Sequence, residues 1–140
     1  MQAKDVMTSQ PQYLKDNVTI REAALTMKNN KTGFEPLTDA NKVTGVITDR
    51  DIAIRVVAEG KSLDDSAKSI ATERVLYTYQ DEDIESVLQN MTEQQVQRLL
   101  VLNDRENKDL VGIVTLGDIA NECKSPELAQ KIVNASRTYQ

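Results

Sequence analysis

Histidine is absent from this chain of 140 residues. Its absence removes Ser-His-Asp and Cys-His nucleophile arrangements together with the commonest metal ligand. Cysteine occurs once, as Cys123, so no intrachain disulfide and no CxxC zinc knuckle can form. A lone thiol fits a reducing compartment, and a half-buried helix position is the expectation for Cys123. Long apolar runs are missing too. The longest cover a few residues, such as 99–102, far below the ~20 needed to span a bilayer. The polar start MQAKDVMTSQPQ lacks the apolar core of a signal peptide. Positive charge is also scarce, with 17 Lys and Arg against 22 Asp and Glu and a net charge of −5. Split at residue 66, the halves carry −1 (9 basic, 10 acidic) and −4 (8 basic, 12 acidic). Neither half has the basic excess that polyanion binding draws on. These absences predict a cytoplasmic protein with no membrane segment, no nucleic-acid partner, no metal site and no catalytic nucleophile.

What is present is a duplication. Hydrophobic residues make up 39%, enough for a compact core, and self-similarity is the first thing to seek. With a shift of 64, Val6-Met7-Thr8 meets Ile70-Ala71-Thr72, Tyr13 meets Tyr77, Ile20 meets Ile84 and Met27 meets Met91. Pro36-Leu37 then meets Leu100-Val101. After a three-residue insertion in the loop 103–109, the shift becomes 67. Gly45-Val46-Ile47-Thr48 falls on Gly112-Ile113-Val114-Thr115, and Asp51-Ile52-Ala53 on Asp118-Ile119-Ala120.

Each copy reads β-α-β-β-α. Short strands are expected over 11–14 and 75–79. Ile20, Ala23, Ala24 and Met27, and Ile84, Val87, Leu88 and Met91, recur at the spacing of one buried helical face. Thr19 and Glu22 form a capping-box signature ahead of the first of these helices. Two apolar runs follow, 34–38 with 43–48 and 98–102 with 110–115, joined by polar turns that suit hairpins. Second helices are expected over 51–58, with Gly60 as its stop, and 117–123. The polar stretch 61–69 reads as a linker between a repeat over 1–60 and a repeat over 70–124. Ser125-Pro126-Glu127 starts a C-terminal helix within 125–140. Its stripe of Leu128, Ala129, Ile132, Val133 and Ala135 suits a lid over the core or a dimer contact.

The candidate site lies where a strand hands over to a helix: Gly45-Val46-Ile47-Thr48-Asp49-Arg50-Asp51, and Gly112-Ile113-Val114-Thr115-Leu116-Gly117-Asp118. One reading is purely structural. Thr at the N-cap with Asp three residues later makes a capping box, and the Gly eases a tight hairpin. The other is ligand binding. An Asp carboxylate can accept hydrogen bonds from the vicinal hydroxyls of a ribose, with the Thr hydroxyl beside it. Arg50 and Arg98 would answer a phosphate, and Val46, Ile47, Ile113 and Val114 would flank a flat base. A carboxylate cluster of Asp49, Asp51 and Glu35 holding Mg²⁺ is an enzymatic alternative.

The segments KDVMT, EAALTMKNNKTGFEPL, GVITDRDIAIR and GIVTLGDIA, over residues 3 to 122, resemble a tandem pair of cystathionine-β-synthase (CBS) domains, the arrangement called a Bateman module. With PELAQKIVNAS at its end, the chain is similar to small stand-alone bacterial CBS-pair proteins. The resemblance implies an α+β fold of two repeats about a pseudo-twofold axis, with clefts that bind adenosine-containing ligands: AMP, ADP, ATP, S-adenosylmethionine or NADH. It carries the ribose contacts onto Thr48 and Asp51, and onto Thr115 and Asp118. It carries base contacts onto Tyr13 and Tyr77 in the first strands. The stretch before the second strand adds Phe34 and Pro36 in one copy, and Arg98 and Leu99 in the other. It also implies a homodimer, a separate effector protein, no covalent cofactor and no catalysis; a scaffold with vestigial clefts is the alternative. The copies depart from one another. Leu100 stands where Pro36 does, Leu116-Gly117 replaces Asp49-Arg50, and Glu35 places a negative charge by the first cleft.

Overall fold

In the computed structural model, which describes residues 1–137, the first helix of each copy forms as its spacing predicts. Helix α2 (Ile20–Asn30) opens on the Thr19/Glu22 capping box: the Glu22 amide donates to Thr19 Oγ1 at 3.1 Å and the Thr19 amide to Glu22 Oε2 at 3.0 Å. It buries Ile20, Ala23 and Met27. Helix α4 (Ile84–Gln94) is capped instead by Asp83, and buries Ile84, Val87, Leu88 and Met91. Both helices end on a residue in the left-handed region, Lys31 (φ 56°) and Gln95 (φ 58°), which the repeat register superimposes.

Each helix links two parallel strands, and a hairpin completes the unit. In one, β2 (Leu14–Lys15) runs parallel to β3 (Phe34–Asp39), and β3 pairs antiparallel with β4 (Lys42–Thr48). Ala40 and Asn41, both at positive φ, make the tight turn that matches strand twist. In the other, β5 (Tyr77–Tyr79) runs parallel to β6 (Arg98–Leu102), which pairs antiparallel with β7 (Leu110–Thr115). Both β3 and β6 carry an irregularity at the same repeat position, Leu37/Thr38 and Val101/Leu102. The first strand is shorter than the expected 11–14: Pro11 has no N–H for a ladder, and pairing starts at Leu14.

The chain forms two compact units, one from Gln12–Val75 and one from residues 1–11 with 76–137. Each therefore takes its leading segment from ahead of the other repeat. Helix α1 (Ala3–Val6) and β1 (Thr8–Ser9) belong with the second repeat, where Thr8 pairs with Ile113 and Ser9 with Gly112 on the free edge of β7. In the first unit a 3₁₀ turn (Ala67–Ser69) leads to Thr72, which exchanges backbone hydrogen bonds with Val46 at 2.9 and 3.0 Å. The repeat register lays Thr8 on Thr72 and Ile113 on Val46, so one contact is made twice. The polar linker is accordingly tied down. Its Leu63 and Asp65 carbonyls accept from Arg21 and Ile20, and Ala67 is fully buried. Unpaired strand edges need such partners.

Gly45 and Gly112 serve this arrangement rather than a hairpin turn. A Cβ on Gly45 would stand 3.2 Å from the Thr72 carbonyl, and one on Gly112 would stand 3.0 Å from the Thr8 carbonyl and collide with Met7.

The second helices differ between copies. Helix α3 (Asp49–Asp51) gives one turn and passes into a π-helical stretch over Ile52–Ala58, with the Glu59 amide reaching back five residues to the Ile54 carbonyl. Ile52, Ile54, Val56 and Val57 are all β-branched and crowd the turn before them. Gly60 at φ 77° ends the stretch, as expected. Helix α5 (Leu116–Asn121) is α-helical. Helix α6 (Pro126–Arg137), capped by Ser125 Oγ on the Leu128 amide at 3.1 Å, packs on α4 and α5. Its Leu128, Ile132 and Ala135 close the second core, so it is a lid, while Val133 faces solvent. No described helix is long and apolar enough to cross a membrane.

Candidate functional site

The Thr and Asp of both motifs form complete capping boxes. The Asp51 amide donates to Thr48 Oγ1 at 3.1 Å, and the Thr48 amide to Asp51 Oδ2 at 3.0 Å. In the second copy the Asp118 amide donates to Thr115 Oγ1 at 3.0 Å, and the Thr115 amide to Asp118 Oδ2 at 2.9 Å. Each carboxylate spends one oxygen this way. The other, Oδ1, has no hydrogen-bond partner among the described residues and is not buried.

Strand alternation decides what stands beside it. Cross-strand partners share a face, so Phe34 lies with Thr48 and Pro36 with Val46, while Arg98 lies with Thr115 and Leu100 with Ile113. Tyr77 joins the second group through its pairing with Leu100. Phe34 is half-buried, Pro36 is buried, and Arg98 is exposed. Tyr13, just ahead of β2, is 50% exposed, and Tyr77, 37% exposed, stands edge-on to Tyr79 with Lys108 Nζ 5.9 Å from its ring centre. Ile47, Leu99 and Val114 point the other way. All three are fully buried in the cores beneath the helices and do not reach the face that carries Thr48 and Thr115. Their strand neighbours Val46 and Ile113 occupy that face. The period of two displaces the expected apolar flank by one residue.

The helix start is also tied to the residue just ahead of β3 or β6. The Asp49 amide donates to the Gly33 carbonyl, and the Leu116 amide to the Gln97 carbonyl, both at 2.9 Å. A Cβ on Gly33 would run into the Asp49 carboxylate. Asp49 in turn accepts the Arg50 amide at 2.8 Å, and Arg50 is exposed. Leu116, the counterpart of Asp49, is part of the core.

Glu35 is not beside the Thr48 face. It is the cross-strand partner of Ile47 and shares the core side of the sheet, 1% exposed, where the repeat places Leu99. Thr32 Oγ1 donates to its Oε1 at 2.5 Å, and Asn30 adds a second side-chain bond. Burial pushes its carboxyl above the usual range, against the pull of those two bonds. The carboxylate cluster of Asp49, Asp51 and Glu35 is therefore not assembled. The sequence reading also missed Thr72 and Thr8, whose segments border Val46 and Ile113. The signal was the alignment of those two threonines.

The comparisons with known proteins agree with this architecture. The family model for the CBS domain matches residues 3–58 and 67–125. The CBS domain-containing protein YhcV of Bacillus subtilis is 32% identical over 134 residues, 95% of this chain and 94% of that protein. Among solved structures, Hypoxic Response Protein I with two coordinated zinc ions aligns at a TM-score of 0.78 with 31% identity, over 88% of this chain and 99% of that one. The CBS domain pair of protein MJ0100, in complex with 5′-methylthioadenosine and S-adenosyl-L-methionine, aligns at a TM-score of 0.75 with 26% identity, over 87% and 94%. With both repeats matched and the small relatives covered almost end to end, the chain belongs to the CBS-domain family, as a tandem pair.

Proposed function

We propose that the chain is a non-catalytic regulatory module of the cytoplasm that binds an adenosine-containing ligand and passes a conformational change to a separate effector, working as a homodimer. The observation that carries this reading is the second carboxylate oxygen of Asp51 and of Asp118. Capping consumes one oxygen of each, and the other is open to solvent and to a ribose hydroxyl. Thr48 and Thr115 stand beside it, Tyr13, Phe34 and Pro36 or Tyr77 would meet the base, and Arg50 and Arg98 would answer a phosphate. The relative crystallised with 5′-methylthioadenosine and S-adenosyl-L-methionine supports the ligand class. Glu35 is turned into the core and does not share the face that carries Thr48. A zinc site like that of Hypoxic Response Protein I is not proposed, because the chain lacks the histidine and paired cysteine donors zinc favours. By linkage, the ligand moves an effector only as far as its affinity differs between two conformations.

The completeness of both capping boxes favours a second reading, a scaffold whose Thr and Asp serve the helices alone. Isothermal titration calorimetry against AMP, ADP, ATP, S-adenosylmethionine and NADH, with and without Mg²⁺, separates the two. Asp51→Ala removes both jobs and lowers stability by losing the reciprocal capping-box bond from the Thr48 amide. Asp51→Asn keeps a cap acceptor, so its melting temperature should fall less while binding in the first repeat is still lost. Asp118→Ala and Asp118→Asn ask the same of the second. Silence across the panel from folded protein would favour the scaffold.

A further inference from the structure

The hairpin end of the second sheet carries a cavity that the Thr/Asp motif does not use. Its volume is about 550 Å³, and Tyr79, Asp81, Glu82, Asp104, Arg105 and Glu106 line it. Strand register sets it apart from the motif. Tyr79 pairs with Leu102, and Leu102 with Leu110, at one end of the β6–β7 ladder, whereas Thr115 pairs with Arg98 at the other. Four of the lining side chains are carboxylates, against one guanidinium. Those of Asp81 and Glu106 have no partner among the described residues. Nowhere among the described residues do three carboxylates or thiols converge as metal ligands do, so these acids suit an extended organic cation.

Tyr79 supplies the second chemistry. Its side chain is 8% exposed and its ring stands edge-on to Tyr77 at 5.7 Å. The hydroxyl has no hydrogen-bond partner among the described residues and is not buried, so it stays open where the residue lines the cavity. Arg105 lies over the ring, its guanidinium carbon 4.5 Å from the centre and Nη2 3.3 Å from Glu82 Oε1. The chain's own cation thus shows what the seat accepts: a flat face on an aromatic ring and an N–H on a carboxylate. That occupant is weakly held, because its side chain is 75% exposed and exposed ion pairs contribute little. The loop beneath it is firm. Asn103 Oδ1 accepts the Asp104 and Asp109 amides at 2.7 and 2.9 Å, and Asp104 Oδ1 those of Glu106 and Asn107 at 3.0 and 2.7 Å. The arginine side chain can therefore leave while the cavity keeps its shape. Duplication does not account for the seat. The repeat register lays Lys15, Asn17 and Val18 on Tyr79, Asp81 and Glu82, and the first copy lacks the loop insertion that brings Arg105.

We propose that this cavity binds a small organic cation with a guanidinium head and a second positive charge on a short chain, and that Arg105 is the tethered occupant it displaces. The head takes the Tyr79 ring and Glu82, and the second charge meets the two unpaired acids, Asp81 and Glu106. No adenosine ligand is needed.

Agmatine, a guanidinium joined to an amine by an alkyl chain, is the probe. Its binding to the full chain is read from the Tyr79 ring resonances in two-dimensional NMR, with Tyr13 as the control ring. A saturable shift confined to the Tyr79 side is expected. Arg105→Ala, at so exposed a position, should leave the circular dichroism spectrum unchanged and bind agmatine about tenfold more tightly than the wild type. Glu82→Gln is added in that background, since alone it would also release Arg105, and it should weaken binding. 1,5-Diaminopentane, with both charges but no guanidinium, should bind more weakly than agmatine. So should N-acetyl-argininamide, the head as a polypeptide carries it. No saturable shift of Tyr79 in Arg105→Ala would overturn the site. Equal affinity in wild type and Arg105→Ala would overturn the displacement, and binding indifferent to Glu82→Gln would overturn the seat. A diamine that binds as well would overturn the guanidinium head. Tighter binding of argininamide would overturn the free cation in favour of a partner's arginine.

Discussion

Glu35 and Leu99 occupy one position in two copies of one fold, and their chemistry could hardly differ more. Both face a core, but the carboxyl needs Thr32 and Asn30 to be held there, and burial still raises it above the usual range. A group raised on folding contributes stability below its unfolded value and loses it as the pH rises through its folded value. Glu35 therefore favours the folded state in acid and works against it at neutrality. Glu35→Gln keeps the shape and an acceptor for Thr32 while removing the ionisation. Its stability should exceed the wild type's at about pH 7, with the margin closing towards about pH 4, where carboxyls protonate. Denaturant titrations of both proteins at the two pH values measure this. An equal margin at both would mean that ionisation is not what the site resists.

At the scale of elements, the exchanged leading segments organise each sheet. Glycine at 45 and 112 exists for them, since the incoming backbone passes where a Cβ would stand. Gly112→Ala must displace the Thr8 carbonyl and Met7 together, and overpacking of this kind costs about 1–3 kcal/mol. Amide exchange should quicken at Thr8 and Ser9 before it does along β6. Unchanged protection in β1 would show that the segment yields without cost. This exchange is also what the sequence concealed. The helices were legible because i, i+3, i+4 spacing is local, and the hairpins because alternation and turn residues are local. The Thr/Asp motif was legible as a capping box for the same reason. Which sheet receives residues 3–9 is decided by a contact more than a hundred residues away, Thr8 on Ile113, so chain order groups them with the first repeat while the fold places them in the second unit. The inward turn of Ile47, Leu99 and Val114 was hidden because both faces of these strands are apolar, so the pattern carries no period to phase. The π-helical winding of 52–58 left no sequence mark distinct from an α-helix.

For the whole molecule, the consequence is that each unit depends on a piece of chain placed ahead of the other repeat. The two pieces are not equally exposed to loss. Residues 67–72 lie between the two repeats, whereas residues 1–9 precede both and are held to the second unit by their own contacts. Those contacts are substantial: Ala3 is fully buried, Val6 and Met7 pack on the second core, and the Met1 carbonyl accepts the Ile84 amide at the start of α4. Deleting residues 1–9 removes that packing, the free-edge pairing of β7 and a partner for the first turn of α4 in one step. The first unit keeps its own segment, with Ala67, Ile70 and Ala71 still in its core. Amide exchange of the truncated chain should therefore show protection lost first and most deeply along β7 and α4, with α2, β3 and β4 retaining theirs. Equal loss in both units would mean that their stabilities are not separable, and no loss at all would mean that the leading segment is an ornament to a sheet complete without it. The first outcome is the one the buried residues require, because an unpaired β7 edge and an opened core arise in the second unit alone.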